Sequence, residues 1–219
     1  DIERGMGRKR VKEHARQLRR LAEMGTVTWE IAEDFRDVLL RFEEFLLLET
    51  RSWKGRRGTS IHVIRSTAAF ARQAVAAMAK NGAAAMLSLR LDGRAIASLV
   101  LLRSSGRYYP WKIAFDEDYR AQAPGALLVI EATRHMLAQP GFARADSLAR
   151  PGGWIERLWP DTLALETLVV AGRGGSGPAP RAREPLGAGR PPGGAGAFAA
   201  GLARRARLKE RVRALLRRA

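Results

Sequence analysis

Apolar residues recur at spacings of three and four in four stretches of the chain, and each stretch predicts a helix. The clearest begins at Phe35, and its apolar stripe ends in a carboxylate, Glu49. A charge on an apolar face is stable only in water or beside a partner, so Glu49 lies either at a frayed helix end or in the core with a partner. The other three predicted helices cover 8–24, 66–80 and 126–137, and the last is apolar around most of its circumference.

Three consecutive stretches favour antiparallel strands, because they combine apolar runs with strong turn signals. Residues 84–91 and 94–102 flank Asp92-Gly93, a two-residue hairpin turn in which both positions tolerate positive φ. A second turn, at 104–106, leads into the aromatic stretch 107–115. Three shorter elements follow: a strand over 142–148, a short helix over 154–159 and a final strand over 163–171.

The segment DEDYRAQAPG joins the aromatic strand 107–115 to the buried helix 126–137. Amides in the first turn of a helix lack helical acceptors and the helix dipole adds partial positive charge, so this arrangement suits a pyrophosphate. Pro124 fixes φ and removes one donor, while Gly125 would let a ligand approach the backbone. The alternative is an ordinary strand-to-helix turn, which is the commoner case.

A second glycine-punctuated loop, LETRSWKGRRGTSI, follows the helix that begins at Phe35. It carries an aromatic residue, Trp53, a lysine, Lys54, and two arginines between Gly55 and Gly58. Three interpretations of such a loop stay open from the sequence: a phosphate-contacting loop, a lid over a substrate, or an exposed turn, which is the commonest.

Composition limits the chemistry that the chain can perform. Its 219 residues suffice for one domain with a substantial core, or for a domain with an appendage. The chain has no cysteine and only three scattered histidines, which argues against a thiol nucleophile, a zinc centre or a histidine-dependent triad. No apolar run approaches the ~20 residues of a membrane-spanning helix.

The net charge of +17 is concentrated near the C-terminus. Residues 173–219 contain twelve Lys/Arg and two Asp/Glu, whereas 26–172 contain nineteen and sixteen and are nearly balanced. The Gly/Pro-rich stretch 172–197 predicts a flexible linker, and 198–219 predicts a basic amphipathic helix. Such a helix either attaches to an anionic membrane or nucleic acid, or docks on its own domain or a sister subunit.

Four separated motifs follow one another along the chain in a characteristic order. They are FLLLETRSWKGRRGTSI, LRLDGRAIASLVLL, YPWKIAFDEDYRAQAPGALLVIEATR and the later pair ADSL and WIERLW. Over about residues 8–171 the chain resembles the GNAT-fold family that includes CelD-like cellulose biosynthesis proteins and is related to FemAB-like aminoacyltransferases. The resemblance implies an α+β fold for 1–171, with a central, mostly antiparallel sheet flanked by helices. Family members are usually longer at the N-terminus, so we expect the chain to correspond to their C-terminal acyltransferase half.

The resemblance implies an enzyme that transfers an acyl group from acetyl-CoA or another acyl-CoA to an amine or a hydroxyl. A small-molecule or saccharide acceptor, such as a polysaccharide precursor, and a cytoplasmic location are expected, with no metal. Two alternatives stay open. One is a tRNA-dependent aminoacyltransferase of the FemAB type, and the other is a non-catalytic module that holds nucleic acid or anionic membrane through its basic tail.

The same resemblance implies a cofactor site around the loop before the buried helix. Residues 120–127 would hold the CoA pyrophosphate through backbone N–H groups, with Ala123-Pro124-Gly125 in place of the usual Gly-x-Gly. The expected cofactor contacts are Lys112, Ile113, Ala114, Phe115, Arg120, Ala123, Pro124, Gly125, Ala126 and Leu127.

Acyl transfer needs a group that takes the proton of the nucleophile and a donor for the oxyanion. A backbone N–H near 112–115 is the expected oxyanion donor, and Lys54 and Lys112 are candidate anion contacts. The candidate acids or bases are Glu49, Asp116 and Asp146, although a salt bridge or a strand-end cap would explain each equally well. The candidate acceptor-pocket residues are Trp53, Lys54, Tyr109 and Trp111, although aromatic residues in strands more often belong to the core.

Overall fold

The computed structural model describes residues 6–149 and 152–165. The chain divides into two units, Asp1–Asp161 and Thr162–Ala219, and the helices and strands of the described residues lie in the first. In chain order they are α1 Arg8–Ala22, β1 Val27–Ala32, α2 Phe35–Arg51, α3 Trp53–Arg56, α4 Arg65–Lys80, β2 Ala84–Leu91, β3 Arg94–Ser104, β4 Arg107–Phe115, α5 Pro124–Leu137 and β5 Arg144–Ala145. Short 3-10 helices cover Ile61–Val63, Glu117–Gln122 and Trp154–Arg157.

The five strands form one mixed sheet in the order β1-β2-β3-β4-β5. Strands β1 to β4 pair with one another in antiparallel fashion, and β5 runs parallel to β4. The predicted two-residue turn between β2 and β3 is confirmed, because Asp92 and Gly93 have φ of 50° and 79°. The predicted α+β fold with a mostly antiparallel sheet is therefore confirmed for the described residues.

Helices cover both faces of the sheet, because successive side chains of a strand point to opposite sides. In β2, Leu87 packs in a core with Leu21 of α1 and Leu128 of α5. Its neighbour Met86 packs in the other core, which contains Phe45 of α2. Every residue of β2 is buried, as expected for a strand that is covered on both faces.

The four predicted helices are present with shifted ends. Asp34 sets the start of α2, because its side chain accepts a hydrogen bond from the Arg36 amide at 2.9 Å. The helix predicted over 126–137 begins two residues earlier, with Pro124 in its first turn, where a proline needs no hydrogen-bond acceptor.

Strand β1 was not predicted, because only a short irregular stretch at 26–28 was expected before α2. Its sequence VTWEIA does alternate apolar and polar residues, a strand signal that was overlooked. The structure pairs the Glu30 carboxylate with Arg41 and Arg90 on the same side of the sheet. The loop predicted after α2 likewise contains a short helix, α3.

The strand predicted over 142–148 is reduced to β5, which pairs only with Arg107 and Tyr108 of β4. The predicted short helix over 154–159 is a 3-10 helix, Trp154–Arg157. Residues 163–165 of the predicted final strand carry no regular structure, and 166–171, the predicted linker and the predicted basic helix lie outside the described residues. In the part that is described, no helix is long and apolar enough to cross a membrane.

Candidate functional site

The edge of β4 that faces away from β3 is open over much of its length. Beyond Tyr108, the described residues provide no strand that pairs with this edge. The Asp116 amide donates to the Ile96 carbonyl at 2.8 Å on the β3 side. Because main-chain groups alternate between the two edges of a strand, those of Ile113 and Phe115 point to the open edge. An unpaired strand edge of this kind can accept an extended ligand through main-chain hydrogen bonds.

A β-bulge precedes this open segment. Val100 lies opposite Lys112 and Leu101 lies opposite Pro110, so Trp111 is the additional residue. Proline has no N–H for the ladder, which explains why the irregularity falls here. Trp111 packs against the core beneath α2 and α4, which accords with the core interpretation of this aromatic residue.

Lys54 and Glu49 form a buried ion pair at the open edge. The Lys54 ammonium donates to the Ile113 carbonyl at 2.7 Å and lies 3.3 Å from Glu49 Oε1. The Glu49 side chain is 0% exposed, and its other oxygen accepts a hydrogen bond from the Ile61 amide at 2.8 Å. Of the two interpretations of Glu49, the buried acid with a partner is therefore confirmed.

Burial also acts on the charge of Lys54, whose side chain is 21% exposed. Desolvation is the main cause that lowers the pKa of this ammonium, and the positive charge of Lys112 acts in the same direction. The attraction of Glu49 opposes both effects without cancelling them. The site thus holds an ammonium that loses its proton more readily than an ordinary lysine.

The short helix α3 presents Lys54 to β4, and several contacts fix its position. The Ser52 hydroxyl donates to the Glu49 carbonyl at 2.7 Å and accepts a hydrogen bond from the Lys54 amide at 3.2 Å. The Trp53 amide donates to Glu117 Oε1 at 2.6 Å. A Cβ added at Gly55 would lie 1.7 Å from a backbone oxygen of α2, so only glycine fits there. The lack of space for a side chain therefore explains the glycine of the Trp-Lys-Gly sequence.

Glu117 is a second fixed point for α3, since it also pairs with the Arg56 guanidinium. Hydrogen bonds from Arg56 and from the Trp53 amide lower the pKa of this carboxyl. Trp53 itself is 41% exposed beside the site, with the Arg57 guanidinium 5.1 Å from its ring centroid.

The loop before α5 differs from the open cradle of amides that the sequence predicts. The amides of Ala126 and Leu127 both donate to the Ala123 carbonyl, at 2.9 and 3.1 Å, and the Ala123 amide donates to Arg120 at 3.1 Å. A Cβ at Gly125 would lie 3.3 Å from the Phe115 ring, so this glycine serves close packing against β4. The expected cradle is therefore corrected to a tighter turn. The first-turn amide of Gly125 has no helical acceptor but belongs to a buried residue, and the Arg120 side chain is exposed.

Ala123 takes the place of the first glycine in the Gly-x-Gly that the family resemblance leads one to expect before α5. It adopts left-handed backbone angles, φ 49° and ψ 50°, which glycine tolerates without strain. Lys112 and Ala114, unlike Ile113 and Phe115, have their main-chain groups on the β3 side. The predicted cofactor contacts thus divide between the open edge of β4 and the start of α5, and they stay a prediction.

The other candidate acids have structural partners. Asp116 pairs with Arg94 and accepts a hydrogen bond from the Asp118 amide at 3.1 Å, which starts the 3-10 helix after β4. Asp146 accepts a hydrogen bond from the Leu148 amide at 2.8 Å. These contacts match the salt bridge and strand-end caps that were the alternative interpretation. Glu49 is the candidate carboxylate that pairs with Lys54, the residue in contact with the open edge.

A charged cleft of about 210 Å³ lies between the end of α2 and the end of β4. Ser52, which also contacts Glu49 and Lys54, lies in its wall. Among the predicted acceptor-pocket residues, Trp53 and Lys54 lie on this side, whereas Tyr109 lies before the bulge and pairs with Leu102. The rest of the wall consists mainly of three arginines and three acids, Arg51, Arg56, Arg94, Asp116, Glu117 and Asp118.

Sequence reasoning did not identify Ser52, Ile61 or Glu117 as parts of the site. Ser52 had a local signal, because a serine before a helical turn is a common N-cap. Ile61 contributes only its main-chain amide, and Glu117 lies 64 residues from its partner Trp53, so neither leaves a pattern in the sequence.

Comparison with known proteins supplies the family. Residues 8–154 match the family described as Acetyltransferase (GNAT) domain. No curated protein matches the chain.

Solved structures that resemble the chain include an aminoglycoside acetyltransferase from an uncultured soil metagenomic sample, with a TM-score of 0.45 and 11% identity over 67% of this chain and 97% of that one. A ribosomal-protein-alanine N-acetyltransferase from Brucella melitensis biovar Abortus has a TM-score of 0.40 and 14% identity over 67% and 99%. The PaiA N-acetyltransferase from Thermoplasma acidophilum, in complex with coenzyme A, has a TM-score of 0.38 and 18% identity over 50% and 72%. The family match spans more than half of the sequence, and the chain therefore belongs to the GNAT acetyltransferase family.

Proposed function

We propose that this acetyltransferase moves the acyl group of acetyl-CoA, or of another acyl-CoA, to an amine or hydroxyl of a sugar or polysaccharide precursor. The observation that supports the site of transfer is the hydrogen bond from Lys54, the ion-pair partner of Glu49, to the Ile113 carbonyl on the unpaired edge of β4. The saccharide acceptor rests on the resemblance of the four sequence motifs to CelD-like proteins.

The donor binds along β4 in this proposal. The pantetheine arm of CoA carries two amides, which can pair with the outward main-chain groups of Ile113 and Phe115 as an added strand does. Its diphosphate meets the first turn of α5, where the helix dipole and the Gly125 amide favour an anion and Arg120 adds a positive charge. The two ends of the donor thus use adjoining segments, β4 and the turn that follows it.

The acceptor enters from the side of α3. It must attack as a neutral nucleophile, so a carboxylate has to take its proton directly or through water. We assign this role to Glu49, because it pairs with Lys54 whereas Asp116 and Asp146 cap backbone turns. The Glu49 side chain is fully buried, so the proton reaches it through water. An outward N–H of β4 then stabilises the oxyanion, which is the usual task of preorganised backbone donors.

Isothermal titration calorimetry with acetyl-CoA and with CoA tests the donor assignment. We expect both ligands to bind, and Gly125→Leu to abolish binding, because its side chain would collide with the Phe115 ring. Gly7→Ala is the matched control, since a Cβ at Gly7 meets nothing within 4 Å. If the wild-type protein bound neither ligand at millimolar concentration, the assignment of acyl-CoA as donor would be wrong, and so would the proposed transfer.

A further inference from the structure

We propose that the Lys54 ammonium is a catalytic residue that stabilises the negative charge on the thioester carbonyl oxygen during acyl transfer. This inference rests on the proposed function, because it needs the thioester to lie at the open edge of β4. It adds a positively charged donor to the backbone N–H groups of that edge.

The geometry of one strand residue carries the argument. The N–H and C=O of Ile113 point to the same edge, and Lys54 Nζ lies 2.7 Å from the carbonyl oxygen. An oxyanion held by the neighbouring N–H would therefore form beside the ammonium. Among the described residues, Glu49 and Ile113 use two of the three N–H donors of Lys54, which leaves one for a ligand.

The ammonium is also held in place before any ligand arrives. Glu49 fixes it from α2, and the Ser52 N-cap fixes the start of the helix that carries it. Preorganised charge of this kind is effective because it needs no rearrangement during the reaction. A purely structural role would explain the pair less well, since desolvation offsets most of the attraction in a buried ion pair and the net gain in stability is small.

The reaction step balances without a change in Lys54. The lone pair of the acceptor nitrogen or oxygen forms a bond to the thioester carbon, and the carbonyl π electrons move to oxygen, next to the ammonium. Collapse of this intermediate re-forms the C=O bond and breaks the C–S bond, so the sulfur leaves with the electron pair. The proton lost by the acceptor ends on that sulfur through solvent, and Lys54 keeps its own proton throughout.

The experiment compares Lys54→Met and Lys54→Arg with wild type and with Lys80→Met, a change of an exposed lysine at the end of α4. Release of CoA thiol from acetyl-CoA is measured with water and with glucosamine as the acceptor probe, and CoA affinity is measured by calorimetry. We expect Lys54→Met to lower kcat by about 10²–10³-fold, the usual effect of removing one oxyanion donor. KM for acetyl-CoA and CoA affinity should stay within about twofold, and Lys54→Arg should retain an intermediate rate because its charge remains.

The pH profile distinguishes catalysis from a structural role. Activity requires protonated Lys54, so it should fall as pH rises through the pKa of this group, which burial and Lys112 lower and Glu49 partly restores. The alkaline fall should therefore begin at a lower pH than for an ordinary lysine. It should be absent in Lys54→Arg, because a guanidinium stays charged.

The outcomes separate this inference from the proposed function. A wild type that binds acetyl-CoA yet releases no thiol with either probe overturns both. An active wild type with unchanged kcat in a folded Lys54→Met variant overturns the role of Lys54 alone. Should Lys54→Met fail to fold, the pH profiles of wild type and Lys54→Arg decide, and identical alkaline limbs refute the inference.

Discussion

Gly55→Ala is expected to damage both stability and activity, because the glycine has no room for a side chain. A Cβ at this position would lie 1.7 Å from the carbonyl oxygen of Thr50, near the end of α2. Real Cβ atoms essentially never come within 3.0 Å of such an atom, so α3 must move away from α2 by roughly 1 Å. Both colliding groups belong to the backbone or are fixed to it, so no side-chain rotation relieves the contact.

The magnitude follows from two opposing effects. Overpacking of this kind costs about 1–3 kcal/mol, and a backbone collision belongs at the upper end of that range. Alanine gains up to ~1 kcal/mol over glycine within a helix, so the net loss should be about 2 kcal/mol. A shift of about 1 Å also displaces Lys54 from Ile113, and misplacement on that scale can lower a rate by about 10²-fold.

Urea denaturation and the release of CoA thiol from acetyl-CoA measure the two effects on the same samples. Gly7→Ala is the control, because its Cβ has open space and its φ of −54° suits any residue. The control should lose no more than about 1 kcal/mol, because Gly7 is the N-cap of α1 and alanine is a poorer N-cap than glycine. If Gly55→Ala proved as stable and as active as the control, the close approach of α3 to α2 would be wrong, and the proposed placing of Lys54 with it.

Two further predictions concern other parts of the chain. Arg90→Met should destabilise the fold by about 1–3 kcal/mol in urea, because the nearly buried guanidinium joins Glu30 of β1 to Glu44 of α2, while both partly exposed glutamates keep their contact with Arg41. Burial alone would raise the pKa of Glu30, but hydrogen bonds from two arginines outweigh it and lower that pKa. Wild type should therefore lose stability as pH falls from the ordinary glutamate pKa through this lowered value, and Arg90→Met should lose less, as urea midpoints across that range would reveal. Residues 173–219 carry twelve basic and two acidic residues, so their deletion should abolish any salt-sensitive binding to anionic vesicles or nucleic acid and leave CoA binding unchanged. Vesicle co-sedimentation measures the first effect and calorimetry the second. A loss of CoA affinity in the deletion variant would contradict the prediction.

Much of the fold could be predicted from sequence because its signals are local. The apolar stripe of α2 and the Asp92-Gly93 turn each arise within a few residues, and the structure confirms both. Strand β1 also has a local signal, since VTWEIA alternates apolar and polar residues, but it was overlooked beside the longer helical pattern of α2. The sequence gives no sign that Glu30 pairs with Arg90, 60 residues away. β5 was predicted too long, because its length depends on how far it pairs with β4 and not on its own residues.

The candidate site shows the same division between local and distant causes. The Trp-Lys-Gly motif and the position of Glu49 on the α2 stripe pointed to the segment that meets β4, but nothing in their spacing shows that Lys54 reaches Ile113, 59 residues away. At Gly125 the sequence suggested room for a ligand, whereas the structure shows close packing. A glycine after a proline at a helix start is compatible with both ligand approach and close packing, and only the distance to Phe115 reveals that packing requires it. The loop was expected to hold the CoA pyrophosphate, whereas the role that we propose for Lys54 lies in the transfer itself. Substitutions at Lys54 therefore probe the proposed reaction more directly than substitutions in the loop.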